Sequence, residues 1–447
     1  MPMSMPAHPH QLHNLRLPRW LLPTDWPQAQ GRPALAQLEL AHGRIAALKP
    51  ATGAPPAAGT ERSWNLHGAL ALPGFVDAHV HLDKTFTLPR IAHIEPGLLG
   101  AIDAMLADRE GWTAEDVRQR AGRALQWAWE AGSTRLRTHV DWWEADRTPV
   151  AWPVLGELAQ AWRGRIRLER VSLMRMAFYE DAAQADRLAR AIADSGPDAL
   201  LGGFVHTAHW NEPALRHLLL AAQRHGLDVD LHVDEELTPS AHGLATLARI
   251  TREIGFEGRV VCGHVCALAA QDEATALRTL DAVARAPITL VSLPATNLLL
   301  QDAVTGRTPR QRGLTLVKEA RERGIPLLLA SDNVQDPFCR LGSYDPVDAL
   351  AVGALVGQLP EPFDTWSEAL CRADWLDRAP ASAAPLIGAP ADLVLFTDAD
   401  MHGFPSRAAR RVVLRDGRLT HGQPPASWLP ADGSPAPAPT APAFALS

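Results

Sequence analysis

The 447-residue chain is predicted to be an α/β protein: a (β/α)8 TIM barrel with a small flanking β-sandwich built from both chain ends. Three observations carry that prediction. Eight short apolar runs alternate with helical text between residues 72 and 384. Short strands with tight turns precede and follow that stretch. Polar residues able to do chemistry stand directly after several of the apolar runs, where a barrel presents its site.

Bulk composition narrows the class. The chain is 47% hydrophobic and 21% charged, which is globular, and its net charge of −7 offers no surface for nucleic acid or an anionic membrane. Four cysteines in this length make no disulfide framework and suit a reducing compartment. The first residues lack the charged and apolar regions of a signal peptide. No apolar run approaches the roughly 18 residues that span a bilayer. A cytoplasmic protein is expected, with no nucleic-acid and no membrane partner.

In chain order, residues 1–14 are expected to be a disordered tail. Residues 38–48 read as a hairpin turning at His42 and Gly43. The first barrel strand is 76–80, opened by a turn at Pro73 and Gly74, and residues 104–129 carry a helical apolar period. Further strands fall at 134–141, 165–173, 199–205, 227–233, 259–264, 288–293 and 325–331, with helices such as 211–225 and 314–323 between them. No glycine-rich phosphate loop follows any strand, which disfavours the doubly wound sheet as the alternative. Strands return at 391–396 and 410–419, the latter turning at Asp416 and Gly417. The domain expectation is a sandwich from 15–71 and 385–422, a hydrolase barrel from 72–384, and a second disordered tail, rich in proline and alanine, at 423–447.

The strand ends carry the functional reading. His79 and His81 sit two apart on a strand, so both imidazoles face one way and make half of a metal site. Strand five ends in His232, with Glu235 three residues on; strand six ends in His264; strand eight ends in Ser331, Asp332 and Asn333. Any one of these histidines alone is an ordinary core residue. Three imidazoles and a carboxylate at one barrel mouth suit one divalent ion, Zn or Fe, with a position open to water. Such an ion lowers the pKa of water towards 7, Asp332 could take the proton, and Glu235 could move protons between water, ring nitrogen and leaving group. His264 is read as a polarising group rather than a fourth ligand. Cys262 and Cys266 have metal-like spacing but read better as small core residues of strand six.

Residues 74–83, 137–141, 232–235, 258–264, 312–319 and 331–338 together resemble the amidohydrolase superfamily in its cytosine deaminase branch, and the likeness runs from about residue 38 to 420. The resemblance implies a barrel with a flanking sandwich. It implies one metal held by His79, His81, His232 and Asp332, with Glu235 as proton shuttle and His264 assisting catalysis. No lysine ends the fourth strand, where two-metal relatives carry a carboxylated one. Lys84 and the segment 331–333 are more similar to the N-isopropylammelide isopropylaminohydrolases. The turn after strand three carries Met174 or Arg175 where the branch has a glutamine that reads the pyrimidine edge, so cytosine is not the expected ring, and an arginine there could meet a carbonyl or carboxylate on a different one. Lys84, Arg175, Asn333 and Phe338 are the expected substrate contacts, Phe338 covering the ring; Gln301 and Arg312 lie in a matching segment without a role.

The expected activity is metal-dependent hydrolysis of a carbon–nitrogen bond in a cyclic amidine or aminated N-heterocycle, a small molecule. A homo-oligomer is implied by resemblance. The alternatives are a cyclic-amide or alkylamino-heterocycle hydrolase using the same site, and a barrel that binds a heterocycle without catalysis.

Overall fold

A computed structural model describes residues 8–51, 62–378 and 386–430. They divide into two compact units. One runs from residue 72 to 378 and adds 401–407; the other takes the residues up to 71, those from 386 to 400 and those from 408 on.

The first unit is the barrel. Its strands are β1 (Phe75–Val80), β2 (Ser133–Trp142), β3 (Arg167–Met174), β4 (Ala199–Val205), β5 (Val229–Val233), β6 (Val260–His264), β7 (Ile288–Ser292) and β8 (Leu327–Leu329), each parallel to the one before it. Their ends lie within two residues of the sequence reading, and those of β4 coincide with it. The seam between β8 and β1 closes on backbone groups just past β8. The Asp332 amide donates to the His79 carbonyl at 2.9 Å, and the Ser331 amide donates to the Asp77 carboxylate at 2.9 Å.

Alternation along the strands sorts the side chains. On β1, Val76 and Ala78 join Val261, Val291, Leu328 and Ala330 in one buried apolar cluster. Asp77 and His79 fall on the opposite face. On β2 the same rule puts Arg135, Arg137, His139 and Asp141 in line, and all four are buried.

Between β1 and β2 the single helical run expected over 104–129 is two helices, α1 (Leu98–Arg109) and α2 (Ala114–Ala131). Gly111 and Thr113 interrupt it. Thr113 caps α2 by accepting the Asp116 amide at 3.2 Å. Gly132 ends α2 at φ 111°, a conformation that favours glycine. Among the described residues, no helix is long and apolar enough to cross a membrane.

The second unit contains a sheet ordered Arg44–Pro50, Ala36–Ala41, Gln11–Leu15, Ser63–Asn65, and a further antiparallel run of Leu393–Phe396, Arg411–Arg415 and Arg418–His421. The two chain ends meet there: Ile45 donates to the Ala389 carbonyl at 3.0 Å, and Ala391 to that of Gly43 at 2.8 Å. Three sequence expectations need correction. Residues 11–14 are not a tail but part of a strand, because Leu12 and Leu15 are fully buried. Residues 423–430 are also ordered: Ala426–Trp428 forms a helical turn that buries Trp428, and the Ser427 carbonyl meets the His67 ring at 3.0 Å. Residues 401–407 group with the barrel rather than the sandwich; Phe404 is buried edge-on against Phe363, their ring centres 5.5 Å apart. The rest of both expected tails, 1–7 and 431–447, lies outside the described residues.

Candidate metal centre and active-site cavity

Four donor atoms converge at the C-terminal mouth of the barrel. His79 Nε2 and His232 Nε2 are 3.2 Å apart, and His232 Nε2 and His81 Nε2 3.3 Å. Asp332 Oδ1 lies 3.3 Å from His81 Nε2 and 3.7 Å from His79 Nε2. Ligands about 2.0–2.1 Å from a tetrahedral ion stand about 3.3 Å from one another, so the spacing fits a four-ligand shell. All four side chains are buried. Burial, with neighbouring imidazoles and the Lys84 ammonium, pushes the three histidines well below their ordinary pKa. Neutral rings facing nitrogen to nitrogen cannot all donate to one another. A shared cation is what satisfies such a set.

Glu235 and His264 stand beside this cluster, with His232, Glu235 and His264 offering donor atoms within 4.8 Å of one another. Between His232 and Glu235, Asp234 turns away at φ 50° and caps the helix Gly243–Glu253, accepting the amides of Gly243 at 3.1 Å and Leu244 at 3.0 Å. That turn leaves Glu235 buried against the cluster. Gln301, without a role in the sequence, donates to the Glu235 carbonyl at 3.4 Å. Burial raises the Glu235 pKa well above the ordinary carboxylate range; Asp332 adds to the rise and Lys84 opposes it. Glu235 therefore holds a proton more readily than an ordinary carboxyl.

His264 is held by a residue the sequence did not reveal. Asn297, on the helix Pro294–Leu300, donates through Nδ2 to the Gly313 carbonyl at 3.3 Å, which turns its oxygen towards His264 Nδ1 at 2.9 Å. The ring thus carries its proton on Nδ1, and Nε2, which has no hydrogen-bond partner among the described residues, is an acceptor. Asp234, His264, Val265 and Asp332 all have φ between 47° and 69°. Non-glycine residues in this left-handed region concentrate strain at the site, most of all β-branched Val265.

A cavity of about 350 Å³ opens on the cluster and is lined by His81, His232, Glu235 and His264. Lys84, Arg175, Asn333 and Phe338 line it as well. Lys84 is buried and ion-paired with Asp141 at 2.7 Å; its ammonium lies 5.0 Å from the centre of the Phe338 ring. Burial works against that charge, but Asp141 and Asp83 outweigh it and hold the lysine protonated. Asp336 accepts Asn333 Nδ2 at 2.7 Å and the Phe338 amide at 2.9 Å, fixing both residues. The Arg175 guanidinium is 4.5 Å from the centre of the Trp143 ring and has no acidic partner among the described residues. The apolar side of the cavity comes from Trp142, Trp143 and the α1 residues Leu98, Ile102 and Leu106. The only sequence signal for this roof is the helical spacing of the α1 apolar residues. Cys262 is buried on β6, and no group of metal-capable side chains among the described residues includes a cysteine.

Comparison with known proteins agrees with this geometry. The profile of the Amidohydrolase family matches residues 113–358. A pterin deaminase from Rhizobium rhizogenes is 37% identical over 388 residues, 86% of this chain and 87% of its own. An N-isopropylammelide isopropyl amidohydrolase from Pseudomonas sp. strain ADP is 28% identical over 65% of this chain and 68% of its own. The crystal structure of a 5-methylcytosine deaminase from Klebsiella pneumoniae, liganded with phosphonocytosine, superposes with a TM-score of 0.74 at 26% identity, covering 93% of this chain and 98% of that one.

Proposed function

We infer the activity from one premise: the chain belongs to the amidohydrolase family. It is a hydrolase that removes an amino group from an N-heterocycle as ammonia, and a bicyclic, pterin-like ring is the substrate class best supported. The 37% identity to a pterin deaminase favours that ring, as does a cavity of about 350 Å³, which holds more than a single six-membered ring. The observation that carries the deaminase reading is Glu235: a buried carboxyl with a raised pKa, beside four convergent donor atoms and open to the cavity.

In this reading His79, His81, His232 and Asp332 would hold one divalent ion, Zn or Fe. The ion, when bound, would make hydroxide available near neutral pH. Glu235 hands one proton of water to the ring nitrogen and carries the other to the departing amine. His264, with Nε2 free as an acceptor, and Asp332 orient the attacking oxygen. Lys84, fixed by Asp141, and Asn333, fixed by Asp336, donate to the ring's polar edge. Phe338 covers the ring face, and Arg175 meets a carbonyl or carboxylate beyond it. A cytoplasmic location and a homo-oligomeric state belong to the same reading. The apolar face of α1 and the 28% identical relative favour a second reading, release of an alkylamine from a triazine-type ring.

The test is amine release from pterin, cytosine and an N-alkylamino-triazine, with metal content measured before and after chelation. Ammonia from pterin, abolished by chelation and restored by Zn or Fe, is expected. Alkylamine from the triazine with no ammonia from pterin would replace the first reading with the second.

A further inference from the structure

We propose that His139 is a positioning residue of the metal centre, a face-on support that fixes the ring of His79. The inference rests on the reading that His79 is a metal ligand.

The His139 and His79 rings are stacked, 3.8 Å between centres and 28° between planes. The other rings that meet His79 do so differently, at 68° for His81, 57° for His232 and 89° for His264. Those rings come together at edges or tilts, whereas His139 presents a face. The other boundary is Gly263 on β6. A side chain there would put its Cβ 2.8 Å from His79 Nδ1 and Cε1, so the His79 ring lies directly against glycine backbone. His79 is thus confined by a glycine and by a stacked imidazole, and a ring so confined holds Nε2 in one direction.

Behind His139 lies the Asp230 carboxylate. His139 Nε2 lies 3.5 Å from Asp230 Oδ1, and Arg137 donates to Asp230 Oδ2 at 3.0 Å. His79, His139 and Asp230 are also close enough to bind an ion of their own. The Arg137 guanidinium, already on that carboxylate, supplies the positive charge and disfavours a second cation there. His139 is fully buried and neither ring nitrogen makes a hydrogen bond among the described residues, a burial that costs stability. Its return is in the orientation of a neighbour, the role that outer partners of metal ligands usually perform.

The experiment measures zinc affinity by competition with a chromophoric chelator, and the visible spectrum after cobalt substitution, in His139→Ala and His139→Phe proteins. Melting of the metal-free proteins reports on the fold. His139→Ala should bind zinc about 10–100-fold more weakly and shift the cobalt bands. His139→Phe, which keeps a stacking face and no polar atom, should recover at least about tenfold of that affinity. Wild-type zinc affinity in His139→Ala overturns the proposal, as does a folded His139→Phe protein that binds no better than the alanine variant. If the alanine variant does not fold, the phenylalanine variant decides: near-wild-type affinity supports the proposal and a loss of about tenfold or more overturns it. A wild-type chain that binds neither Zn nor Co overturns the metal-site reading beneath it, which the variants alone do not touch.

Discussion

Two clusters of charge are buried in one barrel, and they are settled in opposite ways. In the lower one, Glu169 on β3 takes Arg135 at 2.7 Å and Arg137 at 2.9 Å, and Arg137 also takes Asp230 on β5. Every member has a counter-charge within the chain. Burial alone would raise the Glu169 pKa, but Arg137, Arg135 and Arg167 outweigh it and hold it at about 2. The upper cluster brings together three neutral imidazoles, Asp332, and Glu235 with its pKa raised, none of them a cation. β2 serves both, since its aligned residues Arg135 and Arg137 belong below, His139 stands between, and Asp141 pairs with Lys84 above. Charge that the chain neutralises itself supports the fold. Charge left to be answered from outside is available for binding and chemistry.

Glu235→Gln sharpens the difference most. It should lower kcat for ammonia release by about 10³-fold or more, over 4 kcal/mol, while the melting temperature moves by less than about 2 °C. Activity near wild type would remove Glu235 from the mechanism. Below, Arg137→Met should do the reverse in kind. It strands Asp230 and weakens the hold on Glu169, costing about 3–4 kcal/mol of stability as read by urea unfolding. A cost under about 1 kcal/mol would mean that the lower cluster is not the settled one.

The smallest effect expected is in acid. The Glu169 pKa is about 2 when folded, against an ordinary value of 4.5. A depressed carboxyl stabilises the fold above its unfolded pKa, and that contribution is lost as pH falls through its folded one. Stability from Glu169, about 3 kcal/mol at most, should therefore decline between pH about 4.5 and 2. Glu169→Gln, less stable overall, should lack that part of the slope; an unchanged slope would assign acid sensitivity to other groups.

The sequence disclosed the barrel because its strands are buried runs of apolar and β-branched residues separated by helices of ordinary length. His79, His81, His232, Glu235, His264 and Asp332 were legible for a local reason: each stands at or just past the end of a strand. Asn297 was not, because its role comes from His264 and Gly313, which lie 33 and 16 residues away. His139 and Asp230 were hidden likewise; on their own strands they are merely alternate polar residues. The strand at residues 11–15 was obscured by the histidines and prolines before it, and Trp428 by the proline- and alanine-rich text around it.

The seam of the barrel gives the site a place in time. Asp77 and Ser331, which join its edges, are 254 residues apart in sequence, and the donors His79 and Asp332 flank that same join. During synthesis the three histidines emerge long before the aspartate. The full donor set arises only when the last strand docks on the first, after the closure entropy of the intervening chain has been met. An ion held there would clip the barrel shut, so the moment of metal uptake would mark the moment the barrel is complete.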